Sequence, residues 1–167
     1  MKTSKIEIEP TKNTLDAAMQ LLRDKGGKWL ARGAYASVYK MPDDSIAKIY
    51  DPINDVGYDR FLSFATKTRK FKHRVPIIHE ILTIKSLHGL STKIVFMERL
   101  KHKRGKAELM YVDDHTTISR YAFDDKEYFD MIRALDKIAG RNYHFDLHSE
   151  NIMFRGEDWV VTDPFVW

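Results

Sequence analysis

The chain has 167 residues, 43% hydrophobic and 12% aromatic, which is enough for one globular domain with a core and too apolar for a disordered chain. It has no cysteine, which excludes disulfides and thiolate metal sites and is compatible with a reducing compartment. With 28 Lys plus Arg against 24 Asp plus Glu, the net charge of +4 suits nucleotides or acidic protein surfaces, and direct nucleic-acid binding is not expected.

The N-terminal residues lack an apolar core and no later run is long enough to span a bilayer, so the expectation is a soluble, cytoplasmic protein without a membrane partner. Residues before Asn13 are polar and read as loosely held. Asn13 reads as an N-cap with Asp16 in the first turn; Leu15, Ala18, Met19 and Leu22 share one face of a short helix that stops at Gly26-Gly27 and packs on the outside of the next elements. Residues 28–31 then read as a strand, 32–37 as a turn, 38–40 as the partner strand, 41–45 as a second turn and 46–50 as a third strand, an antiparallel meander.

After Asp51-Pro52 the pattern becomes helical, with Tyr58, Phe61, Leu62 and Ala65 on one apolar face. Arg60, Lys67, Arg69, Lys70, Lys72 and Arg74 make this helix and its exit strongly basic. The run from Lys67 to Arg74 reads either as a docking surface for an acidic protein or as a solvated helix face. Residues 75–84 and 92–100 are β-rich and joined by a turn at His88-Gly89, completing a five-stranded sheet. A basic linker covers 101–106, and the stretch to Asp125 carries no clear pattern. Asp124 or Asp125 then caps a helix whose Tyr128, Ile132, Leu135 and Ala139 share a face and which ends at Gly140.

The densest chemistry lies from His144 to Asp163. Asp146 sits on a tight loop, Asn151 ends that loop, and Asp163 comes shortly after the apolar pair Val160-Val161. Phosphoryl transfer from a nucleotide needs a carboxylate to orient and partly deprotonate an acceptor hydroxyl, plus an Asn and an Asp to hold Mg²⁺ against the phosphates. Asp146, Asn151 and Asp163 match those roles at the spacing H-x-D-x-x-x-x-N followed by a hairpin and an Asp.

This stretch resembles the catalytic loop of the protein-kinase superfamily, and the wording HFDLHSENIMF…VTDP is similar to the early serine/threonine protein kinases of T-seven-like bacteriophages. The resemblance is densest from Phe145 to Pro164 and thin upstream. It implies an α+β, two-lobed kinase-like fold forming a single domain, with 13–100 as an N-lobe carrying an antiparallel five-stranded sheet and a leading helix. Residues 101–167 would be an abbreviated helical C-lobe. It further implies ATP and Mg²⁺ as cofactors, with Asp146 and His148 catalytic and Asn151 and Asp163 on the metal. Gly33, Lys48, Met97, Glu98 and Leu100 would hold the nucleotide: Gly33 in the turn over the phosphates, Lys48 on the α and β phosphates, and residues 97–100 as a hinge behind the gatekeeper-like Phe96.

Departures from the family pattern accompany these matches. Gly33 is the turn's single glycine, and no Glu occurs between Lys48 and Glu80, so Asp59, or in second place Asp55, is left as the partner for Lys48. His144 would brace the loop backbone. Phe145 replaces the usual arginine before Asp146, which removes the acceptor of an activating phosphate. Tyr35 and Ser37, read at the tip of the turn, are candidates for self-phosphorylation. The implied activity is phosphorylation of host proteins on Ser or Thr during host takeover. Two rivals accompany it: a catalytically weak kinase-derived module that binds and inhibits a host protein such as RNA polymerase, and a small-molecule kinase suggested by His148. A metal hydrolase built on the alternating His144, Asp146 and His148 would leave Asn151 and Asp163 unexplained.

Overall fold

The computed structural model describes residues 1–8, 13–86, 88–103, 112–113, 117–118, 126–139, 143–147 and 150–166. These form a mixed α/β architecture in two compact units, Met1–Val56 with Ile77–Arg99, and Gly57–Pro76 with Leu100–Trp167. The expected caps Asp124 and Asp125, the helix stop Gly140, and the linker residues 104–106 lie outside the described residues.

The first unit is built on a six-stranded sheet. Its strands are β1 (Lys2–Ile8), β2 (Lys28–Arg32), β3 (Ala36–Lys40), β4 (Ile46–Tyr50), β5 (Ile78–Ser86) and β6 (Ser91–Met97). Their spatial order is β1-β5-β6-β4-β3-β2. Five of them are antiparallel, as the meander and the His88-Gly89 turn require; Gly89 turns at φ 84°, a value that favours glycine. The sixth strand is a correction. The N-terminal residues are not loose but form β1, parallel to β5 in the register Lys2↔Glu80 to Ile8↔Ser86. Its polarity concealed it, because an edge strand with exposed faces is held by backbone pairing rather than by apolar alternation. Ser4 Oγ adds a 2.8 Å bond to Glu80.

Helix α1 (Thr14–Asp24) covers one face of this sheet. Asn13 caps it, its side chain accepting from Leu15 N at 2.8 Å. Ala18 and Leu22 are fully buried against Tyr39, Ala47, Ile49, Leu82, Ile84 and Ile94. Leu15, expected on the same face, is instead 41% exposed. The helix ends as its two glycines demand: Gly26 has φ 77°, and Gly27 N donates to Leu22 O at 2.8 Å. A Cβ on Gly27 would stand 2.8 Å from Leu22 O, so this position has no room for a side chain. At the hairpin end, Thr92 Oγ1 donates to Thr14 Oγ1 at 2.9 Å and fixes the start of α1 on β6.

The second unit holds α2 (Val56–Lys67, from Gly57 onward), α3 (Lys126–Ala139) and a hairpin of β10 (Ile152–Arg155) and β11 (Asp158–Val161). Two short pairs complete it: β7 (Val112–Asp113) with β8 (Thr117–Ile118), and β9 (His144–Phe145) with β12 (Phe165–Val166). The apolar stripe of α2 is the one the spacing predicts, and that of α3 departs from it at one position. Tyr58, Phe61, Leu62 and Ala65 are buried on α2, and Tyr128, Leu135 and Ala139 on α3, where Met131 rather than Ile132 completes the face. The Trp159 ring meets Tyr128 edge-on at 5.3 Å.

The basic run does not stay a uniform solvent-facing surface. Lys70 pairs with Asp130 at 2.8 Å, and that hydrogen bond holds the Asp130 carboxyl below its ordinary range. Arg74 sits over the Trp159 ring at 4.3 Å, donates to Glu127 Oε2 at 2.9 and 3.1 Å, and reaches Asp158 at 3.3 Å, while its carbonyl accepts from Val161 N. Its side chain is only 13% exposed, so this cation is part of the unit's interior framework. Removing one partner from such a site leaves Glu127 half-buried without its guanidinium and strips the Trp159 face. Arg74→Ala is therefore expected to destabilise the unit by about 2–3 kcal/mol, read as a lower urea midpoint. A midpoint unchanged from wild type would show that the cluster is ornamental.

Candidate functional site

The second unit gathers the three residues singled out by their spacing. Strand β9 enters the loop antiparallel to β12, with Phe145 opposite Phe165 and His144 opposite Val166. Asp146 N continues that pairing by donating to Pro164 O at 2.8 Å. Leu147 is fully buried and pins the next residue of the loop to the core. At the loop's far end the Asn151 side chain turns back, Nδ2 donating to Asp146 O at 2.7 Å and to Asp146 Oδ2 at 3.0 Å. Asn151 O accepts from Thr162 N at 2.9 Å and from Thr162 Oγ1 at 3.0 Å. Asp163 stands between Thr162 and Pro164, both tied to this loop. Pro164 also restricts the backbone of Asp163 to extended conformations. Asp146, Asn151 and Asp163 are all half-buried.

This arrangement is a short loop closed on itself by side-chain clips, carrying Asp146 and Asn151, with Asp163 on the segment bonded to it. Asn151 turns its amide nitrogen to Asp146, so its oxygen faces away from that residue. An amide oxygen and a carboxylate are hard oxygen ligands of the kind that suit Mg²⁺ held together with phosphate oxygens and water. Asp146 and the Asn151–Asp163 pair are thereby distinguished chemically: one carboxylate is braced on the loop, and the other follows a strand. Thr162 was not singled out by sequence, although a Thr directly before the second acid, able to bond through both backbone and hydroxyl, is a readable signal for a clip. His148, predicted as catalytic, lies outside the described residues. His144 is exposed, its backbone paired to Val166. Among the described residues no three His, Cys, Asp or Glu side chains converge as a metal cluster, and the hydrolase alternative further depends on His148.

Helix α2 is fastened to the same region of the second unit. A Cβ on Gly57 would come 3.1 Å from Phe165 Cβ and 3.4 Å from the Tyr143 ring, so the helix approaches β12 through a position without a side chain. Arg60 lies 4.8 Å over the Tyr143 ring and donates to the last carbonyls of α3, Ala139 O and, at 3.5 Å, Ile138 O. A cation at a helix C-terminus offsets the negative end of its dipole.

The remaining predicted residues are in the first unit, with two exceptions. Lys48 lies on the central strand β4 opposite Val38 and Val95, and is 9% exposed. It alternates with Ala47 and Ile49, so it points to the sheet face opposite α1. The alternative of an ordinary exposed lysine on a hairpin is thus excluded. Asp59, its expected partner, is half-buried in the first turn of α2 and belongs to the second unit. Leu100 likewise opens the second segment of the second unit, one residue after the chain leaves the first.

Met97 ends β6, buried and paired with both Ile46 and Ile78. Glu98 makes a reciprocal pair with Ile77, its N–H donating to Ile77 O at 3.1 Å and its Oε1 accepting from Ile77 N at 2.8 Å. Phe96 packs half-buried against the α1-facing core. Gly33 N donates to Ala36 O at 2.9 Å, and a Cβ there would meet nothing closer than 4.0 Å. The turn's own geometry therefore does not require glycine at position 33. Tyr35 is 53% exposed in the turn, whereas Ser37 is not at the tip: it lies within β3, paired to Arg32 and Ile49. Two cavities of about 740 and 490 Å³ open beside α1, and neither is lined by Lys48, Gly33, Met97 or Glu98.

No family model matches the sequence, and no curated protein matches it. Among solved structures, the chain is similar to an apo pseudokinase at 11% identity and TM-score 0.47, over 97% of this chain and 63% of that one. It is also similar to the pseudokinase DRIK1 (drought responsive inactive kinase 1) bound to ENMD-2076, at 12% identity and TM-score 0.47, over 87% of this chain and 60% of the other. The chain thus spans about three-fifths of the length of both solved chains.

Proposed function

We propose that the chain is a protein-kinase-like phosphotransferase that moves the γ-phosphoryl group of ATP to a protein hydroxyl. The observation that carries this reading is the clipped loop, in which Asn151 is bonded to Asp146 and Thr162 while Asp146 N is bonded to Pro164 O, bringing both ends of the predicted motif to one place. Asp146 accepts the proton of an attacking hydroxyl as its oxygen forms the new bond to phosphorus and the bond from phosphorus to the departing diphosphate breaks. Asn151 and Asp163 supply the oxygens that would hold Mg²⁺, which when bound neutralises charge on the phosphates. Lys48, buried and central in the first unit's sheet, is suited to an anionic ligand such as the α and β phosphates.

Within this reading the finer assignment is a Ser/Thr kinase acting on host proteins in a phage-infected bacterial cytoplasm, supported by the resemblance of the loop wording. The test is transfer of labelled γ-phosphate to casein and to the chain itself, with Mg²⁺ and with EDTA. Label on Ser or Thr that vanishes with EDTA supports the reading. Tight ATP binding with no transfer to either acceptor would replace it by the binding-module alternative, and transfer confined to small alcohols would replace it by a small-molecule kinase.

Gly33 gives this reading a separate check. Because its backbone needs no glycine, a functional reason for the residue is close approach of the turn to phosphate. Gly33→Ala is expected to leave the melting temperature unchanged and to weaken ATP binding about fivefold, the scale of one hydrogen bond. Unchanged affinity in a calorimetric titration would mean that the turn does not meet the nucleotide.

A further inference from the structure

The outer edge of the six-stranded sheet carries a feature that phosphoryl transfer leaves unused. β2 is the last strand in the order, paired only to β3, and all five of its residues are exposed. Its other side presents backbone N–H and C=O groups to solvent. Trp29 and Leu30 lie near its middle at 62% and 46% exposure. Lys28 and Arg32 stand at its two ends, and among the described residues neither has an ion-pair partner. Lys40, opposite Lys28 on β3, is already matched by Asp44 at 2.9 Å, so the unmatched charge at that end stays with Lys28.

Large apolar side chains on an open edge are an aggregation liability, and end cations together with the irregularity between Trp29 and Ala31 are devices that discourage indiscriminate pairing. A second copy pairing antiparallel through the same strand would set Lys28 against Arg32 at both ends, a like-charge arrangement that costs stability. The same two charges favour a strand with acids at both ends. Exposed Trp29 beside cations would also suit stacking of single-stranded nucleic acid, but the open backbone is matched by a peptide and not by bases. We propose that β2 is a docking edge for an extended segment of another protein, apolar in its centre and acidic at both ends, which adds as a seventh strand. The proposal stands on the first unit alone and does not require phosphoryl transfer.

The experiment uses a fluorescein-labelled ten-residue peptide with the core Glu-Val-Ile-Val-Glu, followed by anisotropy against the full chain. The acid-ended peptide should bind, and its affinity should fall about tenfold when Lys28→Glu and Arg32→Glu are combined, and fall with added salt. The same peptide with Lys at both ends should not bind. A version N-methylated at all three central residues, Val-Ile-Val, which blocks the ladder whichever side faces β2, should lose binding to the wild-type chain, and this comparison decides the matter if the double variant fails to fold. The proposal is overturned if no peptide binds, if the N-methylated or Lys-ended peptide binds as well as the parent, or if the folded double variant binds with unchanged affinity. It is equally overturned if a twelve-residue oligothymidine binds the edge and the acid-ended peptide does not.

Discussion

Asp163→Ala is expected to remove the Mg²⁺ dependence of ATP binding. In the wild type, ATP with Mg²⁺ should raise the melting temperature, since a ligand at about 100 times its Kd stabilises the folded state by about 2.7 kcal/mol. ATP with EDTA should do much less. The variant should show the same small shift with and without the metal, because the carboxylate that follows β11 is the group proposed to link metal and phosphates. The bonds that tie this segment to the loop remain in the variant: Thr162 and Pro164 hold it through Thr162 N, Thr162 Oγ1 and Pro164 O, none of which belongs to the Asp163 side chain. Equal metal-dependent shifts in both proteins would remove Asp163 from the site and, with it, the phosphoryl-transfer reading of the loop.

The legibility of each element in the sequence depended on what holds it. Helix α1 was legible at both ends because its boundaries are set by local chemistry, the Asn13 side chain at one end and the left-handed Gly26 at the other. The buried faces of α2 and α3 were legible because a 3.6-residue period survives any tertiary arrangement. Strand β1 was not legible, since it is fastened by the free edge of β5, and an edge 78 residues away leaves no mark on the composition of residues 2–8. The fate of the basic run was hidden for a similar reason. Lys70 and Arg74 read as surface charge until Asp130, Glu127 and Asp158 are brought to them by folding. Ser37 was misplaced by a shorter distance: residues 36 and 37 are small and turn-like, yet they pair with Tyr50 and Ile49 and so belong to β3.

The loop that carries Asp146 and Asn151 was more legible than the sheet. Asp146, Asn151 and Asp163 fall within one stretch of the chain, and the local signals there are strong: an H-x-D-x-x-x-x-N spacing and a second acid shortly after the apolar pair Val160-Val161. What spacing cannot express is which atom braces which. The Asn151 amide, read only as a metal ligand, is also the strut that sets Asp146 through two bonds. Removing that side chain would therefore confound metal binding with loop geometry, which makes Asn151 a poor probe of either.

Asp146→Asn is the cleaner probe and carries the largest expected effect on transfer. One of the two bonds from Asn151 goes to the backbone carbonyl of Asp146 and is indifferent to the substitution. The other goes to a side-chain oxygen, and the amide oxygen of an Asn can accept it in the same place. Asp146 N keeps its bond to Pro164 O. The loop should therefore keep its shape and the protein its melting temperature, while the group that takes the hydroxyl proton is lost. Losing a positioned general base lowers the rate by about 100-fold or more, so labelled-phosphate transfer should fall by at least that factor. ATP affinity should stay within about twofold of wild type, because Asp146 is assigned to the acceptor and not to the nucleotide. Transfer at the wild-type rate would show that Asp146 is not the base. A parallel loss of ATP binding with an unchanged melting temperature would move Asp146 to the nucleotide and leave the acceptor side of the reaction to be found elsewhere.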